Sequence, residues 1–329
     1  MRLLAVEVRR LRARSLLLAL VLVAVGVIGL VVAAAWSSAR PLTAEQLEEA
    51  QRQYQFALED WEENGEQMIA DCREQEEREE EISGQDVDFG CDAMTAPQEE
   101  WFIPQSTELA ETFPMLLSGT AMLVVLVALL LGTTSTAAEM SSGSMSTWLT
   151  FVPQRLRVLF SKIGAAVVVA VPVAVVLLAV LVAGLYVVHA MQGALGDLDG
   201  DVWADVAWTC LRVTVLSAVI AGVGAALGVL LRHTAAVIGA VVGWVLVVES
   251  ILAGLVPTLS PFLVRTGVAG VVGNGTAYYV TDCEVTSQGT MCESTEVLVT
   301  FGQSALLIGV VTALVVGVTA LVFRRRDVG

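Results

Sequence analysis

Residues 139–162 read Glu-Met-Ser-Ser-Gly-Ser-Met-Ser-Thr-Trp-Leu-Thr-Phe-Val-Pro-Gln-Arg-Leu-Arg-Val-Leu-Phe-Ser-Lys and separate two long apolar runs. Met145, Trp148, Leu149 and Val152 follow i, i+3, i+4, i+7 spacing, so a short helix here carries one apolar stripe. Its other face is mostly Ser and Thr. Pro153 breaks that helix ahead of the basic turn of Arg155, Arg157 and Lys162. A short amphipathic helix with a basic exit, set between membrane spans, suits a surface that docks a partner on the cytoplasmic side.

Outward from this stretch the chain is apolar. Of 329 residues, 56% are hydrophobic, well above an ordinary globular domain. Six runs reach the ~20 residues that a spanning helix needs: Leu16–Trp36, Phe113–Thr133, Ile163–His189, Ala207–Leu231, Ala235–Val256 and Phe301–Phe323. The first is longer than a signal-peptide core and follows a basic interfacial segment with five arginines. The expected fold class is an all-α polytopic membrane protein with six transmembrane helices. Twelve of the 18 Arg and Lys fall on the side of both termini and five on the other, four of those five in one long segment. By the positive-inside rule both termini are cytoplasmic. The arginine-for-lysine bias, with Lys162 the sole lysine, points to a high-GC bacterial genome and hence a bacterial cell membrane.

The net charge of −16 is local. Residues 37–112 hold 22 of the 34 acidic residues against four arginines, a balance of −18, so the rest of the chain is slightly basic. No nucleic-acid partner is indicated. Within this extracytoplasmic insertion Leu47, Tyr54, Trp61 and Met68 recur every seven residues, which predicts one amphipathic helix or an arm of a hairpin. The expected organisation is 1–36 for the interfacial segment and first span, then 37–112 for the insertion. Spans two to five fill 113–256, with the cytoplasmic loop 134–162 among them. Residues 257–300 are a second exterior segment, and 301–329 are the last span and basic tail. In 257–300, the Gly-rich apolar stretch 259–273 is too short to cross and reads as re-entrant. Two strand-forming runs around Ser287-Gln288-Gly289 then predict a small hairpin.

Cysteines supply a second check on sidedness. Cys72, Cys91, Cys283 and Cys292 all fall in exterior segments, where an oxidising milieu permits disulfides. Cys72–Cys91 and Cys283–Cys292 are the expected pairs, with cross-pairing between the segments left open. Cys210 lies in a span and reads as a small core residue. Gly222, Gly224 and Gly228, and Gly239 with Gly243, are expected to let helices approach closely. Glu249 and Arg212 are ionisable groups within or bordering spans. They form a possible intramembrane polar site or, equally, snorkel to the interface.

Several chemistries are missing from the sequence. There is no Gly-x-x-x-x-Gly-Lys-Ser/Thr phosphate loop and no His-Glu-x-x-His zinc motif, and His189 and His233 are isolated. The acidic turn at Asp197, Asp199 and Asp201 lacks the Gly and Glu positions of a calcium loop. No catalytic, cofactor or metal residues are nominated.

The layout resembles the permease subunit of an ABC-2 type (type V exporter-like) ABC transporter. The likeness rests on the basic amphipathic start, the large exterior loop after span one, and the re-entrant segment before the last span. It also rests on the pattern Glu139-x-x-x-Gly143, then Pro153-Gln154-Arg155 and Lys162. It covers nearly all of the chain outside 40–110, which is larger than in many members. The resemblance implies an ATPase-coupling interface made of Glu139, Gly143, Met145, Trp148, Leu149, Val152, Pro153, Arg155 and Lys162. In it Ser141–Val152 is the coupling helix, Glu139 braces it, and Arg155 and Lys162 sit where the next span leaves the cytoplasm. It further implies two copies of a separately encoded ABC ATPase that hold ATP and Mg, and a second permease chain in a homo- or heterodimer among membrane lipids. The implied task is export of a hydrophobic or amphipathic lipid, peptide or antibiotic. A different reading is a non-transporting membrane sensor or anchor whose acidic exterior domain binds a partner.

Overall fold

The computed structural model describes residues 2–84, 87–103, 108–144, 154–286 and 289–325. Met145, Trp148, Leu149, Val152 and Pro153 therefore lie outside the described residues, as do the side chains of Cys283 and Cys292. In chain order the helices are α1 (Arg2–Arg12), α2 (Ser15–Ser38), α3 (Ala44–Ser83), α4 (Leu109–Ser141), α5 (Arg155–Gln192), α6 (Gly200–Leu231), α7 (Thr234–Leu255), α8 (Val264–Val272) and α9 (Phe301–Arg325). Strands β1 (Gly275–Thr286) and β2 (Gly289–Thr300) pair between α8 and α9. Among the described residues α2, α4, α5, α6, α7 and α9 are long and apolar enough to cross a membrane. The protein is an all-α polytopic membrane protein with one hairpin.

The chain forms two compact units: Met1–Ser37, Glu108–Thr281 and Ser294–Gly329 make the first, and Ser38–Thr107 with Asp282–Glu293 make the second. In the first unit the core lies between α4, α5 and α6. Phe113, Leu117 and Val124 from α4 meet Leu177, Leu181 and Leu185 from α5 and Val213 and Leu216 from α6, with Ile28 of α2 against them. The apolar window of α6 is 61% buried, whereas those of α2 and α7 are only 11% buried. The latter two present most of their surface outward, as helices do when lipid or another chain is their solvent.

Glycine decides how close α4 and α6 come. A Cβ at Gly132 would run into the Ala221 carbonyl, one at Gly224 into the Leu129 carbonyl, and one at Gly228 would lie 2.7 Å from the Thr133 carbonyl oxygen. The Thr136 hydroxyl donates to the Ala225 carbonyl oxygen at 2.8 Å across the same seam. This is the small-residue packing that substitutes for a hydrophobic driving force in lipid. Gly239 and Gly243 differ, because among the described residues no neighbouring element lies within 4 Å of where their side chains would be. Gly222 meets Ile163 of α5 only at ordinary contact distance, 3.4 Å.

Three spans are longer than hydropathy alone indicates, α6 by its polar first turns from Gly200. At 33 residues α4 is about 50 Å long, against roughly 30 Å of hydrocarbon. Its start is fixed where the Leu109 and Ala110 amides donate to the Ala194 and Leu195 carbonyls, satisfying two otherwise orphaned donors. Its end is fixed by Gly143 in the left-handed region at φ 71°. Likewise α5 begins at Arg155, ahead of the apolar run.

The 259–273 stretch forms a short 3-10 turn, Pro257–Phe262, and then α8. Nine residues rise only about 14 Å, too little to cross. One side of α8 is buried (Thr266, Gly267, Val268, Gly270, Val271), and Gly270 lies so near Ser304 of α9 that a Cβ there would strike its hydroxyl.

In the second unit α3 is a single 40-residue helix opened by a capping box, Thr43 with Gln46, and closed by Gly84 in the left-handed region. Ala50, Tyr54, Trp61, Gly65 and Met68 lie along its covered side, and most acidic residues face outward, except Glu76 and Glu80, which are half-buried and accept from the Phe89 and Val87 amides. The chain then doubles back. A Cys72–Cys91 disulfide, an Arg73–Asp92 ion pair at 2.6 Å and a Tyr54–Phe102 ring contact at 5.8 Å fasten the return segment to the helix.

Candidate functional site

The two ends of the 139–162 stretch meet inside the first unit. Glu139 stands in the last turn of α4 and Lys162 in the third turn of α5, and both are nearly inaccessible, at 4% and 3% exposure. The Lys162 ammonium donates to Glu139 Oε2 and, at 3.0 Å, to Glu7 Oε1. Arg14 completes the arrangement. Its Nη2 donates to Glu139 Oε1 at 2.7 Å, and its Nη1 donates to the Thr134 and Ser135 carbonyl oxygens at 3.1 and 3.3 Å.

The sequence explains why Glu7 points inward. In α1 it shares one face with Leu4 and Leu11 at i−3 and i+4. Leu11 is buried with Ala128 and Leu131 of α4, Ala165, Ala166 and Val169 of α5, and Ala221 and Ala225 of α6. Leu4 comes to 3.2 Å from the place a Cβ would take at Gly164, so α1 lies directly on α5. That apolar seat carries Glu7 to the Lys162 ammonium. Arg10 sits at the rim, 3.9 Å from the same carboxylate.

Two carboxylates and the Lys162 ammonium are thus buried together, and the Arg14 guanidinium, 28% exposed, balances the second carboxylate from the edge of the cluster. Such a group tolerates its burial because each charge has a partner, and the removal of one partner leaves another stranded. The cluster joins α1, the end of α4 and the start of α5 at the point where the intervening loop departs.

Of the other residues nominated at this interface, Gly143 and Arg155 are described, and both lie near the cluster in sequence. Gly143 ends α4, with the Ser142 and Ser144 hydroxyls donating to the Glu139 carbonyl oxygen beside it. Arg155 is half-buried as the first residue of α5. Just beyond, Val158 and Leu159 pack with Val229 of α6 and Phe323 of α9. Glu139 and Lys162 are too buried for their side chains to reach an external partner; what they do is tie the last turn of α4 to the start of α5.

Glu249 and Arg212 are not brought together as one site; each has its own partners. Glu249 is 4% exposed, accepts from Trp244 Nε1 at 2.9 Å, and accepts from the Arg265 backbone amide at 2.9 Å. Arg212 is half-buried and donates to Thr209 Oγ1 at 2.9 Å. Cys210 is a half-buried free cysteine in α6.

Glu7 and Arg14 were missed by the sequence reading. The signal that could have found Glu7 is a lone acidic residue on the apolar face of an otherwise basic amphipathic helix. Arg14 gave none, because nothing sets it apart from the neighbouring arginines. Among the described residues no cluster of His, Cys, Asp or Glu could hold a metal ion.

The family profile described as ABC-2 family transporter protein matches residues 4–328. No curated protein and no solved structure matches the chain.

Proposed function

The chain belongs to the ABC-2 transporter family as a membrane-spanning permease subunit, and on that premise we propose that its 141–152 loop receives the movement of a separate ATPase. The observation that carries this reading is the buried cluster of Glu7, Arg14, Glu139 and Lys162 at both roots of that loop. A loop hung from two independent helix ends would flex when pushed. Here the ends are joined by charge-assisted hydrogen bonds in a dry setting, so a displacement of the loop passes to α4, α5 and α1 together.

In this reading the partner ATPase holds ATP and Mg and supplies the energy, and this chain has no catalytic site of its own. Two such ATPase copies serve two permease chains in a homo- or heterodimer, and the exposed flanks of α2 and α7 are available to lipid and to the second chain. The cluster and both termini lie on the cytoplasmic side of the bacterial cell membrane, where Arg324 and Arg325 end the last helix. The almost purely aliphatic spans favour export of a hydrophobic or amphipathic substrate. A membrane anchor that only displays the acidic second unit would gain nothing from a braced cytoplasmic loop.

The test is co-expression of the chain with its cognate ABC ATPase. Trp148→Ala with Leu149→Ala is expected to abolish co-purification while the permease stays folded and monodisperse. Full retention of the ATPase, with its hydrolysis rate still altered by the permease, would overturn the coupling assignment.

A further inference from the structure

We propose that Glu249 is a positioning residue that clamps the re-entrant helix α8 to the C-terminal half of α7, so that the two move as one piece. This goes beyond the coupling reading and does not depend on a partner ATPase. A permease changes shape as it works, and the clamp determines which pieces shift together.

The placement of the carboxylate is unusual for its helix. Most of α7 faces outward, yet Glu249 is 4% exposed. Residues Val245–Leu252 form a π-helical stretch. In an α-helix, residues five apart diverge by about 140° around the axis. The i→i+5 bonding of a π turn brings them back onto one side. Two side chains use this register: Trp244 Nε1 donates to Glu249 Oε1, and the Ser250 hydroxyl donates to the Val245 carbonyl oxygen at 3.1 Å. The widened turn thereby fixes one carboxylate oxygen on the indole and leaves the other facing α8.

That second oxygen accepts the Arg265 amide, 16 residues along the chain. Arg265 is the second residue of α8, and the opening amides of any helix lack intrahelical acceptors. Leu263, at the cap position, has no side-chain oxygen to offer, and α8 shows no side-chain cap of its own. Glu249 therefore acts as a cap supplied from another helix, with its negative charge at the positive end of the α8 dipole. From there α8 is seated on α9, with Gly267 against Leu307 and Ile308 and Gly270 against Ser304. The clamp is the link that ties α7 into this stack.

The chemistry requires a carboxylate. Two donors converge on two acceptor oxygens, and a glutamine offers one acceptor plus an amide N–H2 that would face a donor.

The experiment is hydrogen–deuterium exchange of the full-length chain in lipid nanodiscs. Glu249→Gln is expected to raise exchange about tenfold or more in peptides covering 264–267, as expected for loss of a charge-assisted hydrogen bond. Exchange over 245–252 is expected to rise with it. Trp244→Phe alone keeps the α8 cap and stays slow at 264–267. Combining Trp244→Phe with Glu249→Gln restores part of the protection, because the single amide oxygen is then free for the Arg265 amide. Glu249→Asp, which keeps the charge but withdraws it by one methylene, gives an intermediate rise and reads the clamp independently. Unchanged exchange at 264–267 in Glu249→Gln or Glu249→Asp, or a rise there without one at 245–252, would overturn the proposal. A double variant no slower than Glu249→Gln would overturn it as well.

Discussion

Lys162→Met is the sharpest probe of the buried cluster. Methionine nearly matches the aliphatic stem of lysine in volume, so packing is kept and the positive charge alone is removed. The Lys162 side chain is 3% exposed, and the carboxylates it joins, Glu7 and Glu139, are 7% and 5% exposed, so water cannot replace the lost cation. Breaking a buried ion pair on one side costs about 3–5 kcal/mol. The lower end applies, since Glu139 keeps Arg14 at 2.7 Å and Glu7 keeps only the distant Arg10 at 3.9 Å. A loss of roughly 3 kcal/mol corresponds to a melting temperature lower by about 4–6 °C for a chain of this length, measurable by scanning fluorimetry of the purified chain. The control is Glu7→Gln combined with Lys162→Met, which removes one charge of each sign and leaves the Glu139–Arg14 pair intact. This double variant is expected to recover about 2 kcal/mol of the loss, because the two sites are in direct contact and their effects do not add. If Lys162→Met melts within about 2 °C of the parent, or if the double variant is no better than the single one, the cluster is not an integrated brace.

The helix seam and the disulfide give further tests. Gly224→Val forces a side chain into the Leu129 carbonyl and is expected to cost about 3 kcal/mol, the upper range of overpacking; the readout is loss of monodisperse protein in size-exclusion chromatography. Gly239→Ala meets nothing within 4 Å and is expected to leave the chain's elution and melting unchanged. Cys72→Ser with Cys91→Ser opens a link of 19 residues, for which chain entropy predicts a local loss of about 3 kcal/mol. Limited proteolysis is expected to cut the return segment of the second unit faster in that variant, with the spanning helices untouched; equal cleavage rates would contradict it.

The spanning helices were legible because bilayer thickness imposes a length that apolar runs must meet, and α2, α6, α7 and α9 begin or end within a few residues of those runs, save the polar first turns of α6. The overhangs of α4 and α5 were not legible, since beyond the hydrocarbon a helix continues on capping and tertiary bonds such as Leu109 to Ala194. In α3 the heptad of Leu47, Tyr54, Trp61 and Met68 marks the covered face at its last three positions, whereas Leu47, one turn from the start of the helix, is exposed. The candidate site was legible in part. Glu139 and Lys162 drew notice within one stretch, but Glu7 lies 155 residues from Lys162, and only the seating of α1 on α5 joins them. The π turn at Glu249 has no period in the sequence, because it is a local change of register that tertiary bonds stabilise. Gly239 and Gly243 look like Gly224 and Gly228 in sequence, and only packing tells them apart.

The seam at Gly132, Gly224 and Gly228 has a mechanical consequence. With backbone carbonyls of one helix resting where side chains of the other would be, α4 and α6 cannot slide past each other by a residue without a carbonyl striking a Cβ. They behave as one stiff spine, keyed like a spline in a shaft. The least buried spans, α2 and α7, are then the ones expected to give way first in a transport cycle, while the α4–α6 pair keeps its register.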